Sequence, residues 1–372
     1  MTHRCDILVV GGGPAGSSCA WALRRAGADV TVLDGAQFPR DKICAGWITP
    51  PVLRHLELDP DEYAATGLTI QPMTGFRTGI VDRAPVDTLY ETVVSYGIRR
   101  CEFDNYLLGR AHARVLGGTP LRSLRRTGDT WIVNDEIEAK TVIGAGGHFC
   151  PVAKFVRRGH RVSGLVVAQE VELRLPDPGA CRVSGVLPEL YFCPDLEGYG
   201  WCVRKGAYIN VGLGRRDGAA FPAQVARFVR WLEETGRVPP LVARARWRGH
   251  AYLLIGSVTT PVVADDMMLI GDSAGLAYAE SGEGIRTAVE SGLLAARTLM
   301  GARSRRREDL MPYEQAVRSQ ASPGLSAFVP RSIVRPLGRW LLGNATFTRR
   351  VVLDRWFLHS TPSAPAVLDK AA

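Results

Sequence analysis

Apolar residues follow two rhythms along this chain. Cys5-Asp6-Ile7-Leu8-Val9-Val10 and Val30-Thr31-Val32-Leu33 are short, nearly unbroken apolar runs rich in β-branched residues, as in parallel strands buried on both faces. Met267-Met268-Leu269-Ile270 is a third such run. Ser17 to Ala26 reads as a helix between the first two, so strand, helix and strand follow in the order of a parallel α/β layer. The middle of the chain behaves differently. Val162 to Leu175 shows strand-like alternation and Ala207 to Leu213 is another strand, which predicts an antiparallel sheet. Ala223 to Thr235 is an amphipathic helix with Val225, Phe228, Val229 and Leu232 on one face, and Arg286 to Met300 is a further helix.

The junction after the first strand carries the chemistry. Gly11, Gly13 and Gly16 stand at the spacing that gives a tight turn, a close backbone approach to a pyrophosphate, and close packing of helix on strand. Pro14 suits the first turn of a helix, Ala15 sits between the glycines, and the helix N-terminus faces the phosphates. Asp34 ends the second strand about 20 residues on, where an acidic ribose ligand belongs. Strand, turn, helix, strand and carboxylate in this order predict a Rossmann-like dinucleotide-binding unit.

Two later segments turn that expectation toward FAD. Gly271-Asp272-Ser273-Ala274-Gly275 follows the third apolar run, and a carboxylate at a strand end can bond the ribityl hydroxyls of a flavin. Gly282, Gly284 and Ile285 open the Arg286–Met300 helix, whose dipole would favour the negative charge of a reduced flavin.

With these boxes in place, the chain resembles the geranylgeranyl reductase family of FAD-dependent oxidoreductases, relatives of the aromatic hydroxylases. Three more segments agree. Pro39-Arg40-Asp41-Lys42-Ile43-Cys44-Ala45-Gly46 is similar to the family segment that places a cysteine beside the flavin. Arg100-Cys101-Glu102-Phe103-Asp104 matches an element whose arginine contacts the cofactor. Tyr199-Gly200-Trp201-Cys202-Val203-Arg204-Lys205 resembles the motif lining the family's substrate cavity, with Val203 and Arg204 in place of its phenylalanine and proline. Ala279 stands where a loop proline is expected, and Gly275 where the hydroxylases carry histidine.

The resemblance implies FADH2 delivering hydride to a carbon–carbon double bond of a small apolar, isoprenoid-like substrate. The alternatives are an FAD monooxygenase and an electron carrier to quinone. Cys44, Tyr278, Glu280 and Tyr199 are the candidate acids and Trp201 a cavity wall. Arg40, Lys42, Ala45 and Arg100 join the cofactor set, Arg40, Lys42 and Arg100 as neutralisers of phosphate and reduced-flavin charge. No second dinucleotide fingerprint is present, so NAD(P)H would visit transiently or a reduced ferredoxin would supply electrons.

Length and composition refine this picture. With 372 residues the chain has room for two domains. The expected division is a discontinuous FAD-binding domain (1–52, 96–152 and 250–305), an inserted antiparallel-sheet substrate domain (53–95 and 153–249) and a helical C-terminal segment (306–372). No apolar run reaches the roughly 18 residues of a membrane span, and the N-terminus has no signal-peptide pattern, so a cytoplasmic location is expected. Eight cysteines at 5, 19, 44, 101, 150, 181, 193 and 202 form no Cys-x-x-Cys pair, which argues against a zinc or iron–sulfur site. The net charge of +9 suits phosphate-bearing cofactors or an acidic electron-donor protein. No nucleic-acid motif accompanies it. The tail from Val329 interleaves Arg331, Arg335, Arg339, Arg349, Arg350 and Arg355 with Trp340, Leu341, Leu342, Phe347, Trp356, Phe357 and Leu358. Such a segment packs on the protein or lies on an anionic membrane as a peripheral contact.

Overall fold

The computed structural model describes residues 3–157, 165–177, 179, 181–216, 218, 220–255, 260–319 and 331–360. Two sheets organise the chain. In the first, His3–Val10 lies between the parallel strands Ile137–Gly144 and Val30–Leu33, with Met267–Leu269 and Arg114–Leu116 parallel on the flanks. The apolar runs of His3–Val10, Val30–Leu33 and Met267–Leu269 are buried, as a sheet covered on both faces requires, while the edge strand Arg114–Leu116 is largely exposed. Pro14–Arg25 and Ile285–Gly301 pack together on one face; a side chain at Gly292 would strike the Ala15 carbonyl. A hairpin, Leu124–Thr127 with Thr130–Val133, pairs antiparallel onto Ile137–Gly144.

The second sheet runs Arg248–Leu253, Leu165–Arg174, Tyr208–Arg215, Gly198–Lys205, Glu189–Phe192, Gly75–Ile80 and Val86–Leu89. It is antiparallel except where Glu189–Phe192 pairs parallel with Gly75–Ile80. Arg248–Leu253 belongs to this sheet, so the chain returns to the first sheet after residue 250 rather than at it. Of the expected Val162–Leu175 strand, 162–164 lie outside the described residues. Phe221–Glu234 covers the outer face through Phe221, Val225, Phe228, Val229 and Leu232. A small sheet of Trp47–Ile48, Ser95–Ile98 and Ile70–Met73 lies between the two large ones in sequence and joins their cores.

The C-terminal stripe divides in two. Leu342, Val352, Leu353, Phe357 and Leu358 are buried against the second sheet with Met73, Phe76 and Trp201. Leu337 and Trp340 are exposed. Thr348–Phe357 is wound more widely than an α-helix, and Leu358 donates to the carbonyl of Leu353. Val329 and 361–372 lie outside the described residues, as do the side chains of Arg331 and Arg335. Among the described residues no helix is long and apolar enough to cross a membrane.

Candidate functional site

A cavity of about 670 Å³ opens between the two sheets. Its floor is the turn after His3–Val10. Gly11 has φ +118°, and a side chain on Gly11 or Gly16 would run into the carbonyl oxygens of Ala145 or Gly11. Gly13 differs: the nearest atom to an added Cβ is Arg40 Nη2 at 3.6 Å. That space lies over the N-terminus of Pro14–Arg25, which carries no side-chain cap and no acidic residue in its first turn. Backbone N–H groups and the helix dipole thus face an opening sized for an anion. Asp34 accepts from Gly12 N at 2.7 Å and Ala36 N at 2.8 Å, which fixes its carboxylate at the cavity edge.

Cations gather beyond the glycines. Buried Arg100 donates twice to Asp104, at 2.7 and 2.8 Å. Arg40 Nη1 lies 3.3 Å from the same carboxylate and is buried without a hydrogen bond. Lys42 Nζ is 3.3 Å from His250 Nε2. Burial, then Lys42 and Arg100, push His250 down to about 3, so its imidazole is neutral. Burial raises Asp272 above the usual carboxylate range while Lys42 and Arg100 oppose it. Gly282, Gly284 and Ile285 line the cavity where Ile285–Gly301 begins, again without a side-chain cap. The open space at Gly13, the two uncapped helix starts and the orphaned Arg40 nitrogen fit a dinucleotide carrying a flavin.

The opposite wall comes from the second sheet. Ala168, Tyr199, Trp201 and Tyr252 face the cavity with Trp47. Tyr199 donates to the Ser281 carbonyl, so the wall is tied to the glycine loop. Phe357 packs against this wall, stacked on Trp47 at 5.5 Å and edge-on to Tyr199 at 5.4 Å. Buried polar groups of the same sheet grip the Cys44–Gly46 segment. Glu170 accepts from Cys44 N at 2.5 Å and Asn210 donates to Cys44 O at 3.2 Å. Lys205 Nζ, fully buried, donates to Ala45 O at 2.9 Å, Ile98 O at 3.0 Å and Glu172 at 2.5 Å. Trp201 Nε1 in turn holds Asn210 at 2.7 Å.

Among the candidate acids, Cys44, Tyr199 and the wall residue Trp201 meet at the cavity. Burial lifts the Tyr199 phenol well above its ordinary value. Tyr278 and Glu280 do not line it. Tyr278 stacks on His359 at 3.8 Å, and Glu280 is exposed. The loop closes through Tyr278 N to Glu283 O at 2.9 Å and Gly282 N to Tyr278 O at 2.8 Å, with 281–284 on the cavity side. Besides Asp34 and Asp272, the carboxyls that face the cavity are Glu170 and Glu283. Burial pushes Glu170 up to about 7, against Cys44 N–H and Lys205. Burial pushes Glu283 up to about 8, with Arg286 opposing and Glu290 adding to it. Both Glu283 oxygens are buried without a hydrogen bond. Sequence offered one signal for Glu170: it shares a face with buried Val166 and Ala168 in an alternating strand.

Comparison with known proteins agrees with this geometry. Residues 6–85 match the DAO family of FAD dependent oxidoreductases. The chain is 30% identical over 328 residues to menaquinone reductase of Mycobacterium tuberculosis, covering 79% of this chain and 76% of that protein. It is 31% identical over 321 residues to geranylgeranyl diphosphate reductase of Rhodobacter capsulatus, covering 79% and 75%. The crystal structure of a geranylgeranyl bacteriochlorophyll reductase-like protein of Thermoplasma acidophilum superposes with a TM-score of 0.72 at 20% identity, covering 99% and 96%. The parallel sheet, the glycine turn, the cysteine loop and the aromatic wall thus have one source: the chain belongs to the geranylgeranyl reductase family of FAD-dependent oxidoreductases.

Proposed function

We propose that the protein saturates carbon–carbon double bonds in the isoprenoid chain of an apolar substrate. The carrying observation is Glu283, a carboxyl with both oxygens buried and neither paired with a side chain, in a cavity walled by aromatic rings, where burial pushes it up to about 8. An isolated alkene is a poor hydride acceptor, so a proton must reach one carbon as hydride reaches the other. Bound FAD in its reduced form supplies the hydride. The protein's task is an acid that stays protonated at neutral pH, and burial of a carboxyl achieves this. Glu170 is the lesser candidate because one of its oxygens already holds Cys44 N–H. Trp47, Tyr199, Trp201 and Tyr252 offer an apolar bed that excludes competing water. The relatives' names support the reading, since geranylgeranyl diphosphate and menaquinone both carry isoprenoid chains.

Anaerobic reduction with dithionite, followed by mixing with geranylgeranyl diphosphate or menaquinone, tests the proposal. Flavin reoxidation with a saturated bond found by mass spectrometry is expected. Reoxidation only on admitting oxygen, with a hydroxylated product, would make the protein a monooxygenase; quinone-ring reduction alone would make it an electron carrier.

A further inference from the structure

Each saturation removes one proton from Glu283, and a buried acid has to be recharged before the next. Resting on the reading of Glu283 as the acid, we infer that His359, carried by the C-terminal segment, is the positioning residue that returns protons to it from solvent. The two side chains lie opposite each other with unmet needs. His359 Nε2 is 3.9 Å from Glu283 Oε2, and both atoms are buried without a hydrogen bond. Buried polar groups are normally satisfied, so an orphaned pair face to face marks a contact that forms at some stage of the working cycle.

The imidazole is held for this position. Its ring stacks on Tyr278 at 3.8 Å with an interplanar angle of 29°. His359 has φ 48°, a backbone state that a residue with a side chain adopts seldom and mainly where its surroundings impose it. The side chain is 12% exposed against 6% for Glu283, and the next residue, Ser360, is exposed. His359 therefore stands on the solvent side of the acid.

The surrounding charges favour a single shared proton. From the Ile285–Gly301 helix, Arg286 and Glu290 face the pair, but Arg286 Nε is bonded to Glu290 at 2.8 Å. From Pro50–His55, His55 Nε2 lies 3.2 Å from Glu290. From the glycine loop come Tyr278, whose phenol burial keeps protonated, and the exposed Glu280. Burial, then Arg286, lowers His359 to about 4, so at neutral pH the imidazole is neutral and the proton rests on Glu283.

The cycle balances on these atoms. As hydride adds to one alkene carbon, the π pair takes the Glu283 proton at the other carbon; two C–H bonds replace the π bond and Glu283 becomes a carboxylate. That new negative charge, close by in a dry site, raises the basicity of His359. His359 accepts a proton from water at Nδ1 and gives its Nε2 proton to Glu283. Both groups return to neutrality, the imidazole now as its Nδ1–H tautomer, which exchange with solvent resets to Nε2–H, and one solvent proton is consumed per bond saturated.

The test separates first from later turnovers in the full-length, FAD-loaded protein. In His359→Ala the first anaerobic turnover with geranylgeranyl diphosphate should keep its wild-type rate, because Glu283 begins protonated. Steady-state turnover should fall about 10-fold or more, most at high pH, and added imidazole should restore it. Steady-state turnover at the wild-type rate would overturn the inference, as would equal slowing of both phases that imidazole does not relieve. A readout without substrate guards against a fold or activity failure. The infrared carboxyl band of Glu283, assigned by its loss in Glu283→Gln, should titrate about one unit higher in His359→Ala, the Nε2–H donor to the anion being gone. An unchanged titration would also overturn it. If the wild type saturates no alkene, the proposed function fails, and the infrared titration alone decides the pairing of these two side chains.

Discussion

On the first-sheet side the chain faces the cavity with backbone: Gly11 and Gly16 admit no side chain, and Gly13 leaves open space above an uncapped helix. On the second-sheet side it meets the cavity with buried side chains, and Glu170, Asn210 and Lys205 reach across to hold the backbone of Cys44 and Ala45. The first wall is specified by steric exclusion, Gly16 by the nearby Gly11 carbonyl and Gly11 by the Ala145 carbonyl of the adjoining strand end. The second is specified by hydrogen bonds between residues far apart in sequence. A substitution in the first should act by collision, and in the second by leaving charges and carbonyls without partners.

The largest effect should come from breaking the first wall. Gly16→Val places side-chain carbons against the Gly11 carbonyl, which must move with the turn. A loss of about 3 kcal/mol or more is expected, with no FAD retained through purification. Denaturant unfolding and the flavin absorbance of the eluate check it; a yellow protein of normal stability would refute the account. Next is the second wall. Lys205→Met leaves the Ala45 and Ile98 carbonyls unpaired and Glu172 with Arg99 as its remaining cation, at 3.1 Å. We expect a loss of about 3 kcal/mol with FAD still bound, since the glycine turn is intact. Equal loss of FAD in both variants would erase the distinction between the walls.

The smallest effect sharpens the comparison through pH. Glu283 is raised from 4.5 to about 8 in the folded chain, so between those values the folded protein keeps a proton that the unfolded chain has released. Its stabilisation is present below 4.5 and is lost as pH rises through about 8. Glu283→Gln should flatten this decline by at least about 1.4 kcal/mol, the value of one unit, in urea unfolding of the FAD-free protein. Glu170, raised to about 7, contributes a decline of the same sign that persists in that variant.

The same contrast explains what could be read beforehand. Gly11, Gly13, Asp34, Asp272, Gly282 and Gly284 all line the cavity, and each was legible because a local turn between regular elements dictates its role. Cys44, Arg100, Tyr199 and Trp201 were legible through resemblance, and they too reach the cavity. Tyr278 and Glu280 misled because a tight loop turns over within a few residues, and spacing alone does not say which side faces inward. Glu170 and Asn210 depend on strand pairing: Glu170 lies opposite Gly212, and Glu172 opposite Asn210. No local pattern states that register. His359 lies still further out of reach, because its role requires the tail to fold back over a loop formed much earlier in the chain.

That tail has a consequence for how the protein is made. The glycine turn, the cysteine loop and the helix Ile285–Gly301 are complete well before Phe357 leaves the ribosome. A nascent chain can therefore build its glycine cradle first, and the later segment then packs Phe357 against Trp47 and Tyr199. Cradle and backing wall thus become successive products of synthesis, joined only when the C-terminal segment folds back.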